Sequence, residues 1–231
     1  MSPPEVISAR RVPVAQFPAE RSIPFTAQMV SAVLAGSKTQ TRRLVKACKD
    51  RAFGCELAPH ELAGEVNGGD YSNSRYGAPG DRLWVREAYR LTKPFDKDSP
   101  SRVGDRCLDA GYPKAWAPIQ YEADGSRDNW ISVGTVPAIP EPGKLRPGMF
   151  MCRWLSRIDL EVRNVRIERL HNISEADAIA EGCAGGHGAI PGYGYSATPC
   201  EHYQWLWEQI NGAGSWSANP WVWVVSFRRI K

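Results

Sequence analysis

The chain of 231 residues lacks most of the short motifs that announce a chemistry. Its six cysteines, at positions 48, 55, 107, 152, 183 and 200, include no C-x-x-C pair, which removes the usual zinc-ribbon and thioredoxin-type spacings. No H-E-x-x-H helix and no nucleophile elbow occurs. "GSKTQT", from Gly36, lacks the earlier glycine of a phosphate-binding loop, and a helical pattern precedes it where a strand would be required. Long hydrophobic runs are also missing. The longest mainly apolar uncharged stretch, Ser22 to Ser37, is too short and too polar to span a bilayer. "MSPPEVISARRVPVAQFPAE" contains no apolar leader core, so the expectation is a cytoplasmic protein with reduced thiols and no membrane partner.

Charge of one sign is scarce overall. The net charge is +4, so basicity alone says nothing about nucleic acid. With 42% hydrophobic and 23% charged residues, the composition is that of a globular chain, not a disordered one. Its basic residues are nevertheless clustered. Lys38, Arg42, Arg43, Lys46, Lys49 and Arg51 face one acid, Asp50, and six arginines from Arg146 to Arg169 face Asp159, Glu161 and Glu168. Such clusters either meet phosphate or form solvated faces.

Residues 1–22, with alternating charges and little periodicity, read as a loose arm. Thr26 to Ala35 reads as a helix: Thr26 is a natural N-cap, Met29, Val30, Val33 and Leu34 form one stripe, and Gly36 suits the left-handed position beyond the end. A strand then follows over Thr39 to Val45. Ala52 to Tyr76 reads as irregular. Pro79-Gly80-Asp81 makes a turn into a strand at Leu83 and Val85. Residues 91–148 read as an insertion without a core of its own, with weak strands at Ile119 to Glu122 and Trp130 to Val133.

"WLSRIDLEVRNVRIERL", from Trp154, is the best strand pattern. Ile158, Leu160 and Val162 share a face, but the parity shifts to Val165 and Ile167, which predicts a bulge at Arg163-Asn164. "ISEADAIAEG", Ile173 to Gly182, is a helix with Ser174 and Asp177 as a capping box and Gly182 as its stop. Glu181 stands at the wrong end for an acid, where the dipole disfavours carboxylate by about 0.3–1 kcal/mol. Either it is fully exposed, or a carboxyl is wanted there. A further helix, Glu201 to Ile210, carries Trp205, Leu206 and Tyr203 to the core, and the apolar run Trp221 to Phe227 reads as a strand covered on both faces. Tryptophans 207, 216, 221 and 223 pack in the core or at an edge, or stack on bases. No βαβ rhythm, repeat or heptad appears, which points to an α+β fold: a small mixed barrel with short helices at its openings.

Cys183, His187, Cys200 and His202 lie within twenty residues, but C-x3-H-x12-C-x-H matches no usual zinc spacing, and no metal or other cofactor is assigned. The remaining chemical set is Lys38, Thr39, Thr41, Arg42, Arg43 and Glu181. In a regular strand Thr39, Thr41 and Arg43 share a face and Lys38 points away, so Lys38 and Thr41 converge only if the backbone turns just past Gly36.

Four stretches in order carry a family resemblance: "GSKTQTRR", "PGDRLWVRE", "EADAIAEG" and "WVWVVSF". Together they resemble the ASCH domain family, in its phage and prophage group, over roughly Ile23 to Ile230. The resemblance implies a PUA-like β-barrel that binds RNA, single-stranded nucleic acid or a modified nucleoside in a cleft. One branch of the family hydrolyses N4-acetylcytidine, and its active lysine, threonine and glutamate fall on Lys38, Thr41 and Glu181; Arg43 is the signature arginine. Arg42, Arg43, Thr39, Trp84 and Arg86 are then candidate ligand contacts. The other functions the resemblance leaves open are a non-catalytic RNA- or single-stranded-DNA-binding regulatory module and a ribonuclease.

Overall fold

The structure is a computed structural model and describes residues 18–130 and 140–231. Most of the presumed arm, and Ile131 to Val133 of a predicted strand, lie outside those residues.

Five strands form the main sheet: β1 (Glu20–Pro24), β2 (Gln40–Leu44), β5 (Arg82–Arg86), β10 (Asp159–Arg169) and β11 (Trp221–Arg229), in the order β1-β5-β10-β11-β2. Only β1 and β5 run parallel. The arm is therefore shorter than predicted, because residues from Glu20 onward pair in the sheet. The fold is α+β, but the sheet does not close as a ladder: β1 and β2 are its two edges. A side chain spans the gap at one end, where Arg43 Nη2 donates to the Pro24 carbonyl at 2.7 Å.

β10 carries the predicted bulge, with its register to β11 shifting between Val162 and Asn164. The extra residue restores parity, so Leu160, Val162, Val165 and Ile167 are all buried. They pack with Ile23, Val30, Val33, Leu83, Val85 and Phe227 in the main core. Helix α1 (Ala27–Leu34) lies against this core through Val30 and Val33, with Thr26 accepting from the Met29 amide. Helix α2 (Pro59–Asn67) joins it through Leu62 and Val66. This helix and the small hairpin of β3 (Cys48–Lys49) and β4 (Glu56–Leu57) replace much of the irregular stretch predicted over Ala52 to Tyr76.

The segment expected to lack a core instead builds a second sheet. Strands β6 (Tyr89–Thr92), β7 (Ile119–Tyr121), β8 (Arg127–Asp128) and β9 (Pro142–Arg146) pair in the order β8-β7-β6-β9. Tyr89, Leu91, Val103, Ile119, Tyr121, Met151 and Leu155 form its own buried cluster, with helix α3 (Pro100–Asp109) on one side. An ion pair between half-buried Arg157 and buried Glu87 stands at the junction of the two sheets. Arg157 holds both oxygens of Glu87 at 2.9 Å, bonds Asp124, and lies 4.0 Å over the Tyr121 ring.

Helices α4 (Glu175–Ala180) and α5 (Pro199–Asn211) cover the opposite face of β11, meeting Val222 and Val224 through Ala178, Tyr203 and Trp207. The last strand is thus buried on both faces, as its apolar run predicts. Among the described residues no helix is long and apolar enough to cross a membrane.

Candidate functional site

The chain does turn after Gly36. That glycine sits at φ +77°, in the left-handed region, and ends α1. The amides of Ser37 and Lys38 then fold back onto one acceptor, the Ala32 carbonyl, at 3.0 and 3.1 Å. Thr39 is the next fixed point: its amide donates to Ala180 O at 2.8 Å, and its carbonyl accepts from the Phe227 amide at 2.8 Å. Residues 37–39 therefore tie α1, the end of α4 and β11 together before β2 begins.

This bend sends the Lys38 side chain to the C-terminus of α4. Lys38 Nζ lies 2.5 Å from Glu181 Oε2 and 3.0 Å from the Glu181 carbonyl oxygen. Both residues are buried, Lys38 at 3% and Glu181 at 6% exposure. The acid at the wrong helix end is therefore not a solvated one. An ammonium placed against it and against the negative pole of the helix reverses the unfavourable dipole term. Gly182, at φ +97°, then turns the chain away; a Cβ there would touch those of Ala32 and Lys38.

Arg42 extends the arrangement. It is 4% exposed, stacks 5.9 Å from the centre of the Tyr203 ring, and bonds Glu168 at 2.9 Å and Asp177 at 3.1 Å through Nη2. Its Nη1 lies 3.7 Å from Glu181 Oε1. Arg166 closes the group from the far side by bonding both Glu168 and Asp177. Burial works against ionising Asp177, but the charges of Arg42 and Arg166 outweigh it and hold that carboxyl down to about 2. Asp177 also closes the capping box of α4 with Ser174. Three polar atoms of this group have no hydrogen-bond partner although buried: Glu181 Oε1 and the Nε and Nη1 of Arg42.

Lys38, Thr41, Arg42, Arg43 and Glu181 line one cleft of about 720 Å³. In register, Thr41 and Arg43 pair with Val225 and Trp223 on the core face of the sheet, while Arg42 pairs with Val224 on the face under α5. Residues of both faces reach one cleft because β2 is an edge strand, and the cleft wraps its free side. Aromatic side chains line the cleft too: Tyr76 from the main-core side, and His202, Tyr203, Trp205 and Trp207 from the α5 wall. Trp205 and Leu206, expected in the core, are only half-buried and line this wall, whereas Trp207 takes the deeper position. Glu181 is the single acid among the described lining residues, against five cations.

Three predicted contacts lie elsewhere. The Thr39 side chain is exposed and does not line the cleft; its backbone is what the site uses. Trp84 packs beside the second cluster, with Arg86 5.7 Å from its ring and bonded to the Gly148 carbonyl. The arginine series from 146 to 169 is not a free basic face. Arg153 bonds Glu20 and Asp159, Arg157 bonds Glu87 and Asp124, Arg166 bonds Glu168 and Asp177, Arg163 lies 3.4 Å from Glu161, and Arg146 donates to the Phe95 carbonyl. Asp159, Glu161 and Glu168 belong to the series itself, but Glu20, Glu87, Asp124 and Asp177 lie outside it, so local charge counting missed them.

Cys183, His187, Cys200 and His202 do not gather as ligands, and no group of three or more metal-binding side chains occurs among the described residues. Burial, helped by the Glu181 charge, pushes the Cys183 thiol up to about 12, so this sulfur is not a thiolate beside the lysine. His202 accepts from the Gly185 amide at 3.4 Å, and burial lowers its pKa. Asp177, Glu168 and Arg166 were not foreseen as part of the site. In the sequence Asp177 reads only as a cap.

Comparison with known proteins returned no match, whether to family models, to curated proteins or to solved structures.

Proposed function

We propose that the cleft binds a modified nucleobase or nucleoside and hydrolyses an acyl amide on its exocyclic nitrogen, as in an N4-acylated cytidine. The observation that carries the reading is the buried Lys38–Glu181 pair with one carboxylate oxygen left without a donor. Ion pairs kept only for stability fill their remaining hydrogen-bonding capacity, because an unmet buried polar atom is costly. Here one acceptor, Glu181 Oε1, stays unfilled, 3.7 Å from Arg42 Nη1, in a pair that lines the same cleft as Thr41.

The chemistry divides among three side chains. An ammonium has three donors, and Lys38 uses two on Glu181, which leaves one to polarise an acyl oxygen. Thr41 supplies the attacking hydroxyl or holds the attacking water. Glu181 Oε1 takes the proton released as the new C–O bond forms and returns it to the exocyclic nitrogen as the C–N bond breaks. Water is consumed, and the products are a carboxylate and the free amine. The aromatic wall offers surfaces on which a base stacks. The four sequence stretches resembling the ASCH family support the same reading and, with the side-chain bridge from Arg43 to Pro24, a barrel of the PUA-like kind.

The test is a panel of acylated nucleosides incubated with the wild type and with Lys38→Ala, read by chromatography. Turnover by the wild type alone is expected. No turnover, or equal turnover by both proteins, defeats the proposal. Pairing within the 146–169 arginine series leaves less support for a broad phosphate-binding face, the alternative in which the protein only binds a strand.

A further inference from the structure

The cleft's interior cations and its outer ones differ in kind. Lys38 and Arg42 are consumed by carboxylates, as are Arg21, Arg90, Arg106, Arg153, Arg157, Arg163, Arg166 and Arg228 elsewhere. Arg43, Lys46 and Arg75 also line the cleft, and among the described residues none of them has a carboxylate within 4.0 Å. Three cations without a carboxylate around one opening are the charges this cleft leaves for an anion.

Two of the three are tied to the same aromatic. The Arg75 guanidinium lies 6.0 Å from the centre of the Tyr76 ring, and the charges of Arg43 and Arg75 both act on the Tyr76 hydroxyl. Arg43 is held in place beforehand. Its Nη2 bonds the Pro24 carbonyl, its guanidinium sits 5.4 Å from the centre of the Phe25 ring, and its buried Nε has no partner. A fixed guanidinium with a buried unused donor, next to a phenol and two exposed cations, suits a tetrahedral oxyanion more than a neutral group. The cleft volume of about 720 Å³ lies in the range of small-molecule sites.

We propose that the mouth of this cleft, formed by Arg43, Lys46, Arg75 and Tyr76, is a phosphate subsite, so that the ligand is a nucleotide and not a free nucleoside. This rests on the reading of the cleft as a nucleobase pocket. The shared chemistry is a ribose-linked phosphate, whether a monoester or part of a strand. Phosphate held at the mouth fixes the distance at which the base meets the aromatic wall and the Lys38–Glu181 pair.

The experiment is equilibrium binding, by quenching of tryptophan fluorescence and by calorimetry. Cytidine, its 5′- and 3′-monophosphates, a short cytidine oligoribonucleotide and inorganic phosphate are compared on the wild type and on the Lys46→Ala/Arg75→Ala double variant. At low salt a phosphorylated form is expected to bind at least about tenfold tighter than cytidine, the factor one charge-assisted hydrogen bond supplies. That ratio is expected to fall toward one at high salt and in the double variant. Which phosphorylated form gains most separates a monoester from a strand. Equal binding of cytidine and all phosphorylated forms overturns the subsite, as does a ratio unchanged in the double variant. If acylated cytidine is turned over without any phosphate advantage, the subsite alone fails. If a phosphate advantage appears with no turnover, the subsite stands and the hydrolase reading fails. If nothing binds, both fall.

Discussion

Lys38 Nζ holds both ends of Glu181: the carboxylate Oε2 at 2.5 Å and the main-chain carbonyl at 3.0 Å. The first contact is an ion pair; the second satisfies a carbonyl at the C-terminus of α4. One side chain thus does electrostatic and capping work at once, and the residue it grips lies 143 positions away.

Removing either partner strands a buried charge. Lys38→Met or Glu181→Leu is expected to cost about 3–5 kcal/mol in urea unfolding. The Lys38→Met/Glu181→Leu double variant is expected to cost clearly less than the sum of the two, because neither charge is then left alone. Additive losses would mean that the pair is not coupled.

If the cleft hydrolyses an acylated base, Glu181→Gln keeps the shape and removes the proton acceptor. The expected result is a fall of about 10²- to 10⁴-fold in kcat with KM little changed. Thr41→Val is expected to lower kcat comparably while ligand still quenches tryptophan fluorescence. A variant that changes only KM would place its residue in binding and not in chemistry.

The Asp177 carboxyl, held down to about 2 against an ordinary value of 3.8, makes stability depend on pH with a definite sign. Its folded pKa is depressed, so its contribution is complete above the unfolded value and is lost as pH falls through the folded one. Wild type and Asp177→Asn are expected to differ by a constant amount from neutral pH down to about 5, and the gap is expected to close between about 4 and 2. Denaturant melts across that range measure it.

Arg157→Lys keeps a positive charge but cannot reproduce the two-pronged grip on Glu87. The expected loss is about 1.5–3 kcal/mol. Amide exchange is expected to accelerate in β6 and β7 more than in β10 and β11, because the broken contact joins the second sheet to the first.

Alkylation separates the cysteines. Cys55 is exposed and is expected to react with iodoacetamide in the native protein at pH 8. Cys183, buried and with its thiol pushed up to about 12, is expected to react only after unfolding. Peptide mass mapping gives the order.

Features with local causes were legible in the sequence. The Thr26 cap and Gly36 stop of α1, the Ser174–Asp177 box of α4 and the parity break in β10 each need only neighbouring residues to be read. Helices α2 and α3 were missed although each has a local start, Pro59 with Glu61 reaching back to the Ala58 amide, and Ser99 capping the Arg102 amide ahead of Pro100, because neither carries a long apolar stripe. α2 starts from Ala58, which has no capping side chain, inside a Gly- and Asn-rich stretch, and α3 buries only Pro100, Val103 and Gly104. The site was half legible. Lys38, Thr41 and Glu181 stood out by position, but Arg42's partners, Glu168 and Asp177, lie 126 and 135 residues away, and no periodicity reports such a contact. The same distance hides why the arginine series is spent internally.

The bend after Gly36 bears on how this molecule can move. Thr39's amide on Ala180, Lys38's ammonium on Glu181 and Arg42's guanidinium on Asp177 stitch the start of β2 to both ends of α4. A short helix fastened at both ends to one strand cannot hinge away from it. The cleft's less anchored groups lie elsewhere: half-buried Trp205 and Leu206 on α5, and the exposed Arg75 beside Tyr76. The cleft is a vise with one jaw clamped, and its catalytic candidates all sit on the clamped jaw.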